Sequence, residues 1–405
     1  MAPLVLSSPA HAVQDIPNLS VAVAPDAVNS FKPFVAFQET YYENLYQIPA
    51  GAFYLDTLVG PGQSRDDYLS IATAGVDGTW TAGRQVVAFT TRVDDNRFVH
   101  NTDLDNVSGL GKVQLNWQAT DLLSGQAGYF YTRSLAAFAD TRYFASDSVA
   151  TNQIFGTFRY QLGPHWATYG TALETHTTNS APPERINDAE TNVYTAGIEY
   201  ATSIKNTVSA EYDRTEGRYP SDVELQGVLD NRNYVENDIR FLTTYNFTAK
   251  TSLTANLGYL QRTYPNADVG SFSGDTWRVT LQWAATAKLQ FAIAAYDELQ
   301  AFLDSQSDYF VAKGGSLAPV WTISEKLALS GLISYAAQNY INSSLNVLTV
   351  GERRDKVTQE QLSLNYAATR ALALKLSYEY DKRDSNQAVF SYDGSVVSLT
   401  ARFTF

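Results

Sequence analysis

The 405-residue sequence predicts an all-β fold: a transmembrane up-and-down antiparallel β-barrel of about 18 strands. Three observations carry this. Short and long connections alternate along the chain, the segments between them alternate polar with apolar residues, and tryptophan gathers beside the short connections. No apolar run approaches the ~20 residues of a spanning helix, so passage through a membrane falls to strands, whose backbone groups are satisfied only in a closed sheet.

Composition agrees. Apolar residues make up 44% of the chain, yet the mean hydropathy is −0.23, so polar and apolar residues are interleaved rather than blocked. The absence of cysteine excludes disulfide scaffolds, thiolate metal sites and thiol catalysis. A net charge of −13 disfavours nucleic acid and anionic surfaces as partners, and acidic solvent-facing loops account for it.

The first element is not barrel. MAPLVLSSPAHA carries a short apolar segment followed by Ala10, His11 and Ala12, an A-x-A pattern for cleavage before Val13, so residues 1–12 read as a residual signal peptide without its basic region. Residues 13–30, rich in Pro, Asn, Asp and small side chains, read as a mobile N-terminal segment. The barrel is expected over residues 31–405.

Tight connections then follow at Thr81–Arg84, Ala119–Leu123, Leu162–His165, Ser203–Asn206, Thr248–Thr251, Ala285–Lys288, Ser324–Lys326 and Ala368–Ala371. A longer polar segment lies between each successive pair, such as NSAPPERIND or RYPSDVELQGVLDNRN. Every second hairpin of an up-and-down barrel faces the same side, which produces this alternation, whereas a Greek-key sandwich does not. The count is nine hairpins with both termini on the short-turn side. Trp277, Val279, Leu281 and Trp283 oppose Arg278, Thr280 and Gln282, and Leu372, Leu374, Leu376, Tyr378 and Tyr380 oppose Lys375, Ser377, Glu379 and Asp381. HWATYGTALETH has a weaker alternation, and Pro319 suggests a bulge because it cannot donate to a ladder.

The last element is the strand SVVSLTARFTF. Val397, Leu399, Ala401, Phe403 and Phe405 form its lipid face, and Ser398, Thr400, Arg402 and Thr404 face the lumen. Its ending, with Phe403 and Phe405, resembles the signal read by the outer-membrane insertion machinery. Trp80, Trp117, Trp166, Trp283 and Trp321 all lie within three residues of a tight turn. Indole prefers the headgroup boundary, so these five read as an interfacial girdle in contact with outer-membrane lipid.

Alternation also assigns the lumen wall: Lys112, Arg159, Glu199, Glu211, Asp213, Arg240, Arg278, Tyr296, Glu298, Lys375, Glu379, Asp381 and Arg402 are expected to face inward. Most of these charges are expected to pair across strands and solvate the wall. Eighteen tilted strands about 4.8 Å apart close into a cylinder on the order of 35 Å across, with roughly 15 Å left between side chains. A hole of that size leaks, so something must narrow it. The candidates are the N-terminal segment, a periplasmic partner, or the longest loops, Gln47–Asp66, Tyr219–Tyr234 and Ile341–Lys356.

From YYENLYQIP through FRYQLGPHW, the stretch YDELQAFLDSQSDYFVAKGGSLAPVW and LSYEYDKRDSN to VVSLTARFTF, the chain resembles the EpsL-type β-barrel porins of exopolysaccharide operons. That resemblance implies an outer-membrane location in a Gram-negative bacterium, a role in export of an extracellular polysaccharide, and a periplasmic export partner that delivers it. Tyr296 and similar rings would stack on sugar faces while the polar wall offers weak, repeated sites.

Enzymatic readings have less support. Of His11, His100, His165 and His176, none sits in an H-E-x-x-H or G-x-S-x-G setting, and Glu379 with Asp381 read as lumen carboxylates rather than a glycosidase pair. No catalytic residue, metal or cofactor is expected. The readings rank as polysaccharide export channel, then passive porin for small solutes, then outer-membrane hydrolase.

Overall fold

The computed structural model describes residues 29–141, 143–221, 223–225, 228–230, 232–264, 271–304, 307–342 and 352–405. The expected signal peptide at 1–12, and all but the end of the segment at 13–30, lie outside these residues.

Eighteen strands form one closed sheet. The first nine are β1 (Ser30–Tyr42), β2 (Asp67–Ala82), β3 (Gln85–Phe98), β4 (Asn106–Gln118), β5 (Leu123–Leu135), β6 (Ser148–Gln161), β7 (Trp166–Asn179), β8 (Ala189–Ala201) and β9 (Thr207–Arg218). A small hairpin, β10 (Val223–Leu225) and β11 (Val228–Asp230), stands apart in a loop. The remaining nine are β12 (Tyr234–Thr248), β13 (Thr251–Thr263), β14 (Phe272–Ala284), β15 (Leu289–Asp304), β16 (Ser307–Thr322), β17 (Leu327–Asn342), β18 (Arg354–Ala367), β19 (Leu372–Ser385) and β20 (Tyr392–Thr404). Each strand pairs antiparallel with its sequence neighbours, β9 with β12 across the small hairpin. The ring closes where β1 pairs with β20.

The short turns fall where the sequence puts them. Gly83 of the β2–β3 turn has φ of 60° and Lys205 of the β8–β9 turn has φ of 62°, the left-handed geometry that tight hairpins need. Pro319 departs from expectation, because the β16–β17 register is the same on either side of it and no bulge forms. The missing N–H costs only local rungs, and Gly331 opposite leaves room, since a Cβ there would meet Pro319 Cγ at 3.3 Å.

The outward face is apolar. Ile239, Phe241, Tyr245, Leu257, Tyr259, Leu362, Leu376, Leu399 and Phe403 are exposed along it, as a lipid-facing wall requires. Trp80, Trp166, Trp283 and Trp321 are exposed on the same face at the short-turn end, and Trp117 is half-buried because its ring lies against Gly125. At the other end charges begin: Glu39, the Arg97–Asp95 and Arg214–Glu216 pairs at 2.9 Å, and the Asp297–Lys313 pair at 2.8 Å. Leu289 and Asp297 on β15 are separated by roughly 20 Å along the barrel axis once strand tilt is allowed for, close to the height of an apolar membrane band.

Aromatic rings lie over glycines on neighbouring strands. A Cβ at Gly75 would meet the Phe34 ring at 2.5 Å, and one at Gly197 would collide with the Tyr169 ring. These glycines let flat rings lie against the backbone of the next strand, which fixes the rotamers of wall-lining aromatics.

Candidate functional site

The candidate site is the lumen, and its wall is built by strand alternation. Each of the inward residues expected from the sequence lies on the face opposite the exposed aromatics. Near the short turns, Arg159 pairs with Glu199 at 2.6 Å, and Arg402 pairs with Asp77 at 2.5 Å while its guanidinium stacks 3.6 Å from the Phe34 ring centre. Higher up, Arg240 reaches Glu211 at 2.6 Å, Asp213, and Asp238 at 3.7 Å, and Tyr169 donates to Glu211 at 2.8 Å. Arg278 grips Glu298 with two hydrogen bonds, at 2.8 and 2.5 Å, and stacks on Tyr296 at 4.5 Å. Such bidentate, ring-backed guanidinium groups are stiff, so the wall presents fixed dipoles rather than mobile charges.

Other wall charges do not pair in this way. Glu379 accepts from Gln359 at 3.0 Å and Gln361 at 3.3 Å, and Asp381 hydrogen-bonds to Glu379. Lys112 and Lys375 have no ion pair with a described residue.

Sequence reasoning missed a deeper tier toward the long loops. Arg262 is fully buried, pairs with Glu236 at 2.7 Å and stacks on Tyr234 at 4.1 Å. Arg353 binds Asp355 at 2.9 and 2.6 Å between the Tyr340 and Phe390 rings. Alternation places these residues on a face but gives neither their height nor their partner, so nothing in the local sequence marked them.

The lumen is plugged from the long-loop side. The helical turn Phe138–Thr141, in the β5–β6 connection, reaches β15 on the far wall, and Arg383 of β19 donates to the Ala139 carbonyl at 2.7 Å. Phe138 and Phe144 pack on Tyr46 of the β1–β2 connection, and Leu45, Ile48, Leu69, Phe98 and Leu104 complete an apolar core inside the barrel mouth. Of the loops proposed from sequence to narrow the pore, Gln47–Asp66 contributes to this plug. The β5–β6 loop was not among them. The stem of Tyr219–Tyr234 instead docks sideways, with Arg232 donating to Asn187 at 3.4 Å, and residues 343–351 of the third loop lie outside the described residues.

Two polar side chains pin the plug. Asn44 donates to the Ile48 carbonyl at 2.9 Å and to the Asp393 carbonyl at 2.8 Å, and its Cβ fills the notch at Gly394. Asp67, fully buried at the head of β2, accepts from the backbone N–H of Tyr68 at 2.8 Å, Val99 at 3.2 Å, His100 at 2.9 Å and Asn101 at 2.8 Å, and from Asn101 Nδ2 at 2.7 Å. Burial opposes its ionisation, but these donors outweigh it and hold the carboxyl below the ordinary Asp range. Asn101 in turn bridges to the Ser64 backbone in both directions at 2.9 Å, tying one loop to the next.

Behind the plug lies a cavity of about 310 Å³ against β1–β5, β19 and β20, lined by Tyr42, Asn96, Phe98, Ser108, Asp381 and Tyr392 among others. His176 lies elsewhere, on the outward face of β7 with Glu174 at 2.7 Å and Glu190 on β8 nearby, so it does not address the lumen.

Comparison with known proteins agrees with this architecture. Residues 188–405 match the family described as "Putative beta-barrel porin 2". No curated protein matches the sequence. Among solved structures, a BenF-like porin from Pseudomonas fluorescens Pf-5 is similar at 9% identity and a TM-score of 0.51, covering 93% of this chain and 99% of that one. OccK9 (OpdG) of Pseudomonas aeruginosa is similar at 9% identity and a TM-score of 0.52, covering 93% and 98%. At such identities the likeness is one of fold. The chain belongs to the beta-barrel porin 2 family and is a porin-like channel protein of the Gram-negative outer membrane.

Proposed function

We propose, on the premise of that membership, that this barrel carries carbohydrate across the outer membrane, and that its passenger is an extracellular polysaccharide leaving the cell. The observation that carries the reading is that the wall itself neutralises its paired arginines. Arg159, Arg240, Arg278 and Arg402 are each matched by a carboxylate on the wall itself, and two of them stack on rings. Arginines satisfied within the wall exert little attraction on anions, while its amide, hydroxyl and tyrosine edges offer many weak hydrogen bonds to a hydroxyl-rich chain. The resemblance to exopolysaccharide-operon barrels supports the same passenger, and the delivering periplasmic partner belongs to the proposal. The reading assigns no catalytic step.

The second reading is a passive porin for small solutes. It is favoured by the plug, because the Ala139 tether to Arg383 leaves less room than a polymer needs unless the loops move. One experiment separates them. A deletion strain is expected to retain polymer in the periplasm, and purified protein in a planar bilayer to show weak ion selectivity with current interrupted by long glycans. Normal export from the deletion strain, with lost uptake of small nutrients instead, overturns the export reading.

A further inference from the structure

We propose that the 310 Å³ cavity behind the plug is a binding site for a protonated amine carried on a sugar-sized ring. The inference rests on the carbohydrate reading and sharpens it: the passenger would bear free amino groups.

Size comes first. Pockets that hold small ligands begin at about 300 Å³, and this cavity meets that bound. Its walls are the barrel on one side and the plug on the other, so access depends on the loops that Asn44 holds. Chemistry comes second. Among the described residues lining the cavity, Asp381 alone is acidic or basic. Arg383, two residues along β19 on the same face, lies at 3.6 Å from Asp355 and donates to Ala139, so its hydrogen bond goes to the plug while its charge still acts on Asp381. Glu379, two residues below, is held by Gln359 and Gln361, and it shares a hydrogen bond with Asp381. The carboxylate pair is therefore hydrogen-bonded by neutral amides, and the two cations on its strand face, Lys375 and Arg383, are not among the residues lining the cavity. The hydrogen bond between Glu379 and Asp381 requires a shared proton, and a cationic ligand at Asp381 replaces that proton with a counter-charge inside the cavity.

The rest of the lining suits a ring with hydroxyls. Tyr42, Phe98 and Tyr392 offer aromatic surface for an ammonium or for sugar C–H faces. Asn96 donates to Asn106 at 3.0 Å and to Ser108 at 2.8 Å, a prearranged polar row that leaves acceptor capacity for ligand hydroxyls. An anion would meet Asp381 unfavourably, and a fully apolar ligand would strand these amides.

The test compares three ring compounds that differ at one substituent. Glucosamine, N-acetylglucosamine and glucose are titrated into the purified, folded barrel by equilibrium calorimetry, and permeation of the same sugars is measured separately by liposome swelling. Glucosamine is expected to bind at least tenfold more tightly than either neutral sugar. Asp381→Asn is expected to erase that preference and Asp381→Glu to keep it, both with the heat-resistant electrophoretic migration of a folded barrel. Equal affinity for all three sugars, or a preference that survives Asp381→Asn, overturns the proposal. Sugar-permeable liposomes with no amine preference in calorimetry refute this inference alone, whereas impermeable liposomes with an amine preference in calorimetry refute carbohydrate transport and leave the site.

Discussion

Replacing Asp67 with alanine is expected to release the plug while leaving the barrel closed. The buried carboxylate accepts from four backbone amides and the Asn101 side chain, and alanine strands the N–H groups of Tyr68, His100 and Asn101 inside the mouth, while that of Val99 keeps the Tyr68 carbonyl at 3.0 Å. Each unsatisfied buried donor costs about 1–3 kcal/mol, and water entering the site recovers part of that, so the local loss is roughly 3–6 kcal/mol. At 1.4 kcal/mol per tenfold, loop opening becomes about 10²–10⁴ times more frequent. Pairing between β1, β2 and β20 is untouched, so the sheet itself persists. The assay is single-channel recording at pH 7 with limited proteolysis of the β1–β2 loop. Raised conductance, frequent large openings and faster cleavage are expected in Asp67→Ala. Current and protection identical to the parent protein would refute the hub argument. The sign of the pH effect follows from the same bonds: the folded carboxyl titrates below its unfolded value of about 3.9, so its contribution is complete above that pH and is lost as pH falls through the folded value. The parent plug is thus expected to hold at pH 5 and loosen only in stronger acid.

Other expectations concern the wall. Arg240→Gln removes the cation shared by Glu211, Asp213 and Asp238, which should destabilise the barrel by about 3–5 kcal/mol in urea titration and shift the reversal potential toward cations. Arg402→Ala frees Asp77 at the periplasmic mouth, and single-channel currents should show higher cation selectivity with little change in unfolding midpoint, since the pair is more than a third exposed. Gly197→Ala drives a methyl into the Tyr169 ring and breaks its bond to Glu211, for an expected loss of about 1–3 kcal/mol read by the temperature at which the folded band disappears on gels. Shortening the β5–β6 loop across Phe138–Thr141 should at least double conductance, and an unchanged current would mean that the turn does not limit flow.

Strand number and facing were legible because they depend on periodicities of the chain itself. The ATDLL and SIKN turns interrupt the two-residue alternation at sites where the tight connections occur, and Arg278 opposite Trp277 fixes the lumen side of β14 without any tertiary information. The plug was not legible in the same way. Whether SLAAFADTRYFASDS extends outward or folds inward depends on contacts with Tyr46 and Arg383, which lie far away in sequence. A signal was nonetheless present: Phe138 and Phe144 are costly to expose in a water-facing loop, and two of them within one connection ask for a partner. The buried Arg262–Glu236 pair left no comparable mark, because its register partner is known only once strands are aligned.

The seam between β1 and β20 has a consequence for biogenesis. Phe405 N–H bonds the Pro33 carbonyl at 2.9 Å, at the seam where the first and last strands of the ring meet. No fragment that lacks β20 can complete this ring, because β1 has its second neighbour only in that strand. Until those two strands meet, the unfinished sheet carries two open margins that must be shielded from other chains.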